Sequence, residues 1–136
     1  MQGPRRRARI LALQALYEID ATGHQVESVI SHLMAEEDIS KENAEFTRAL
    51  VKGVILNKDK IDENVSKFAP AWPLEQTPVV DRNILRLAVF EILFDNNVPV
   101  RVAINEAIEL AKAFGSANSP KFVNGVLGSV SALVSR

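Results

Sequence analysis

The sequence predicts an all-α fold, a bundle of six or seven helices in one domain over residues 1–136. Three observations carry that reading. Apolar residues recur at helical spacing in one stretch after another. The gaps between those stretches hold residues that start or stop helices, among them Gly23, Ser40, Pro70, Pro73, Pro78, Gly115 and Pro120. No segment alternates as a strand should, since Val98 to Val102 is short and contains Pro99.

Pro4 suits the first turn of a helix running to about Ala21, with Ala8, Leu11, Ala12, Ala15, Leu16 and Ile19 as its buried face. The other arc carries Arg6, Arg7, Ile10, Leu13, Gln14 and Tyr17, a mixture that reads as a contact surface. After Gly23, Val26, Val29, Ile30, Leu33 and Met34 mark a short second helix, and Glu36, Glu37 and Asp38 an exposed acidic turn. Ser40 is an N-cap for a third helix that turns Phe46, Leu50 and Val54 inward. Ile61, Val65 and Phe68 continue the pattern past a polar interval at Asn57 to Lys60, so this part is one bent helix or two in succession.

Pro70, Pro73 and Pro78 punctuate the segment that holds Trp72, the single tryptophan. Thr77 and Pro78 read as N-cap and first residue of a central helix whose core stretch is Asp81 to Asp95. That stretch is apolar nearly all round, which places it in the middle of its bundle. Arg82 and Arg86 share one edge, and Glu91 projects into the apolar arc, where its carboxylate must find a donor; it reads as a paired structural group. A further helix from Arg101 to Phe114 is expected to bury Ile104, Ala107, Ile108 and Ala111, with Gly115 capping it. Ser119 and Pro120 open the last helix, which turns Val123, Val126, Leu127, Val130 and Leu133 to the core. Gly125 and Gly128 fall inside that helix and suggest close packing of two helices, not a phosphate loop.

Chemistry is concentrated at the N-terminus. Arg5, Arg6, Arg7 and Arg9 can grip phosphates bidentately and stack on bases. The cluster opposes the helix dipole, so it is a poor choice for stability alone, although a solvated terminus would also account for it. Gln14 and Tyr17 lie on the same arc as Arg6 and Arg7 and supply the amide and ring that readers of single-stranded RNA use; a lone tyrosine also packs readily against a neighbouring helix. Lys121 can meet a phosphate beside the open backbone amides of the last helix, or be an ordinary surface lysine.

The composition narrows the field. Without cysteine there are no disulfides, thiolate metal sites or thiol nucleophiles. His24 and His32 lack metal-ligand spacing and a suitable serine or acid, so neither a metal nor a catalytic residue is expected, and no cofactor loop is present. No apolar run is long enough for a bilayer and the N-terminus lacks a signal-peptide pattern, so a cytoplasmic location is expected. A net charge of −1 argues against coating nucleic acid indiscriminately, so any binding must come from a local patch.

Four stretches, RRRARILALQALY from Arg5, DRNILRLAVFE from Asp81, VAINEAIELAKAF from Val102 and KFVNGVL from Lys121, together resemble the NusB family of transcription antitermination and ribosomal RNA processing factors. The resemblance runs from one end of the chain to the other. It implies a non-enzymatic protein that binds the boxA element of ribosomal RNA leader transcripts. It also implies a heterodimer with the ribosomal protein NusE that joins the RNA polymerase elongation complex. By position, RNA would be met by Arg5, Arg6, Arg7, Arg9, Gln14 and Tyr17, with Asn118, Ser119, Lys121 and Phe122, and NusE by a surface including Asp81. The competing expectation is a protein-interaction module in which Ile10, Leu13 and Tyr17 form a homodimer seam without RNA.

Overall fold

A computed structural model of the chain describes residues 3–71, 73–95, 97–132 and 134. Trp72 and Leu133 lie outside the described residues. Among those described, the backbone forms seven α-helices and no strand: α1 (Pro4–Thr22), α2 (Val26–Ala35), α3 (Lys41–Leu56), α4 (Lys58–Phe68), α5 (Val79–Phe90), α6 (Val100–Phe114) and α7 (Ser119–Ser131). A 3₁₀ turn at Leu74–Gln76 precedes α5, and one π-helical turn, Glu91–Asp95, extends it. The helices gather into two compact units, residues 1–56 and 57–136.

In the first unit α1 packs on α2 and α3. Its end is set by Gly23, whose φ of 75° is left-handed and whose N–H donates to the Ile19 carbonyl at 2.9 Å. Ser40 caps α3 as expected, its Oγ accepting from the Asn43 amide at 3.1 Å. Thr47, buried on α3, donates to the Ala8 carbonyl of α1 at 3.2 Å, which ties the two helices where alanine lets them approach. The contact surface expected on α1 is smaller than its sequence suggests. Ile10 and Leu13 are each 4% exposed, because the apolar face is wide enough to take them in. A homodimer seam built on them is thereby lost.

The polar interval at Asn57 separates two consecutive helices, and α4 opens the second unit. There α5 is central, touching α4, α6 and α7, with Ile84, Leu85, Leu87, Val89 and Ile92 fully buried. It starts one residue later than Thr77 and Pro78 suggest. Pro78 is the N-cap, and the Thr77 hydroxyl donates backwards to the Pro73 carbonyl at 3.1 Å, which stabilises the 3₁₀ turn instead of the helix start. Glu91 is buried and not without a partner. The guanidinium of Arg86, also buried, grips Asp62 of α4 with two bonds, Nε to Oδ1 at 2.8 Å and Nη2 to Oδ2 at 3.1 Å.

Three expectations in this unit change. The buried face of α6 is Ala103, Ala107, Leu110 and Ala111, with Ile104 and Ile108 only half-buried, because the alanines let α6 lie close to its neighbours. Gly115 follows α6 but is extended, φ −92° and ψ −169°, so it supplies no left-handed cap. It is needed for space: a Cβ there would stand 2.5 Å from both Cβ and Oγ of Ser119 and 2.9 Å from the Ala111 carbonyl. Gly125 and Gly128 meet no atom within 4 Å of an added Cβ, so they do not mediate close packing.

Candidate nucleic-acid interface

The arginines of α1 begin a helix with no acidic residue in its first turn, an arrangement the helix dipole disfavours. Acids from elsewhere in the first unit compensate. Arg7 Nη2 donates to both carboxylate oxygens of Glu37, at 2.7 and 2.6 Å, and Arg5 Nη2 reaches Glu42 Oε1 at 3.4 Å. Each arginine side chain still keeps nearly half its surface in water, so both pairs can exchange a carboxylate for another anion. Arg6 is half-buried and not without a partner of its own.

Arg9 departs from expectation. It is 4% exposed, and its guanidinium carbon lies 5.2 Å from the centroid of the Phe46 ring. Arg5 lies over the same ring at 4.0 Å. Gln14 is exposed, and Tyr17 is 45% exposed, which leaves a ring able to stack on an unpaired base. Of the six residues expected on α1, five therefore reach the surface and Arg9 is interior.

In the second unit, Asn118 and Lys121 are exposed and Phe122 is half-buried at the start of α7. Ser119, expected to meet RNA, is 1% exposed and fully engaged: Oγ donates to Asp81 Oδ1 at 2.8 Å and accepts from the Ser116 amide at 2.8 Å. Asp81, expected to face a partner protein, is 6% exposed, because its carboxylate is turned onto that hydroxyl. The pair fixes the start of α7 against α5. Beside it lies a groove of about 790 Å³ lined by Phe68, Pro70, Gln76, Asp81, Lys121 and Phe122, among others.

The helix start offers an anion less than expected. The Ser119 amide donates to the Ser116 carbonyl, Pro120 has no N–H, and the Phe122 amide donates to the Asn118 carbonyl, so at most the Lys121 amide remains. Because Gly115 must stay small for this corner to close, Gly115→Ala is expected to cost about 1–3 kcal/mol of stability, read as a lower urea midpoint. An unchanged midpoint would mean the corner yields freely.

Glu37, Glu42 and Phe46 are the residues that sequence reasoning missed. Glu37 read as part of an exposed acidic turn, Glu42 as a first-turn residue of the third helix and Phe46 as core, although the opposite charges of these acids and the arginines were a usable signal. Among the described residues no cluster of three or more His, Asp or Glu could hold a metal. No helix among them is long and apolar enough to cross a membrane.

A family model described as the NusB family matches residues 6–132, nearly the whole chain. The chain belongs to the NusB family. A transcription antitermination protein NusB of Dehalococcoides mccartyi is 53% identical over 131 residues, covering 96% of this chain and 92% of that one. The solved NusB of T. maritima superposes with a TM-score of 0.89 at 38% identity, covering 97% of this chain and 93% of that one. A crystal structure of the antitermination factors NusB and NusE in complex with double-stranded RNA contains a chain with a TM-score of 0.89 and 27% identity. That match covers 98% of this chain and all of that one. The NusB fold and the exposed arginines of α1 thus occur in one chain.

Proposed function

We propose that this protein is a non-enzymatic RNA-binding antitermination factor that works in the cytoplasm. With NusE it takes the boxA segment of ribosomal RNA leader transcripts and joins the RNA polymerase elongation complex. The observation that carries the reading is the start of α1, where Arg5 and Arg7 hold half-exposed guanidinium groups on exchangeable carboxylates. A phosphate can take the place of Glu37 on Arg7, accepting from the same Nη2 that donates to both carboxylate oxygens, so little pairing is lost when RNA arrives. Arg6 and Lys121 add charge, and Gln14 and Asn118 add hydrogen-bonding amides. Tyr17 and Phe122 offer faces to unpaired bases.

Arg9 and Ser119 act as supports, each in its own unit: Arg9 beside the Phe46 ring, and Ser119 by holding the start of α7 to Asp81. Asp81 serves NusE as part of the floor of the groove beside Lys121 and Phe122. A gel-shift series tests the reading with single-stranded boxA RNA, a scrambled strand and a boxA duplex, each with and without NusE. The boxA strand should bind best, and NusE should tighten it further. The duplex hides its base faces in stacking, so Tyr17 and Phe122 gain nothing from it and it should bind less tightly. Equal binding of boxA and scrambled strands in the presence of NusE would remove boxA recognition from the proposal.

A further inference from the structure

Arg5 and Arg9 stand one helical turn apart on α1, and both bring their guanidinium carbons over one ring, that of Phe46 on α3. We propose that Phe46 is a positioning residue for RNA: it holds Arg5 ready for a phosphate and does not itself touch the strand. The inference rests on the reading of α1 as the RNA-binding helix.

A guanidinium stacks through its face and donates through its edge. Contact with the ring at 4.0 Å therefore occupies Arg5 without using the in-plane hydrogens a phosphate would take. Glu42 engages one of those hydrogens, at 3.4 Å, and leaves the rest of the edge in solvent. Arg9 is buried, so it meets the same ring from the protein interior and fixes where the ring stands. A long side chain already ordered in its binding position gives up less freedom when the ligand arrives. The exposed charge is thus carried by α1 while its direction is set by α3.

The test uses the full chain and single-stranded boxA RNA at low salt. Phe46→Leu keeps apolar volume and removes the ring's electrostatic attraction for cations, while Phe46→Tyr keeps the ring. Affinity should fall about two- to fivefold in F46L and stay at the wild-type level in F46Y. In an Arg5→Gln background, F46L should cause no further loss, a result that a merely structural role for Phe46 would not produce. Should the leucine variant fold poorly, Arg5→Lys keeps the charge without the planar stack and should show the same two- to fivefold loss. Wild-type binding by F46L or by R5K, or an equal loss from F46L with and without Arg5, would overturn the proposal. Failure of the wild-type protein to bind boxA RNA would instead sink the functional reading on which it rests.

Discussion

Replacing Asp62 with alanine is expected to destabilise the protein by about 3 kcal/mol, read as a fall in the urea midpoint at unchanged slope. Arg86 is 6% exposed, and its two charge-assisted bonds to Asp62, at 2.8 and 3.1 Å, offset the cost of taking a guanidinium out of water. Asn83 Oδ1 stands 3.4 Å from Arg86 Nη1, too far to replace a carboxylate. Losing Asp62 therefore removes both of these bonds from a buried guanidinium on the central helix α5. The value sits at the low end for buried pairs because Asp62 keeps 23% of its side chain in solvent and Lys58 also approaches it, at 3.4 Å. Replacing both partners with apolar residues, Asp62→Leu with Arg86→Met, should recover much of the loss. A single-variant loss below about 1 kcal/mol would place the pair among ordinary surface bridges and contradict this account.

Much of the fold could be read from the sequence because helix signals are local. The spacing of Val26, Val29, Ile30, Leu33 and Met34 and the cap at Ser40 need only a few neighbouring residues, and both appear where expected. What the sequence hides depends on which partner a residue takes once the chain has folded. Thr77 looks like an N-cap until the Pro73 carbonyl claims its hydroxyl, and Gly115 looks like a left-handed cap until Ser119 takes the space beside it. The candidate site divides in the same way. Arg7, Gln14 and Tyr17 reach the surface from one arc of α1, as helical geometry requires, while Arg5 reaches it from another side, over Phe46. The burial of Arg9 and the carboxylates facing Arg5 and Arg7 come from α3 and the turn after α2, which no α1 periodicity reveals.

The central claim is that ribonucleotide phosphates settle on the exposed cations, and salt is its most direct probe. Four contacts between such cations and the phosphates of a single strand would give a log-log slope of about −3. Neutralising two of them with Arg6→Ala and Arg7→Ala should roughly halve that slope and leave the helical circular dichroism unchanged. The deciding measurement is the affinity of the wild-type protein for single-stranded boxA RNA across a salt series. A fall of about fiftyfold between about 50 and 200 mM is the predicted result, and an affinity that stays flat over that range would contradict the account.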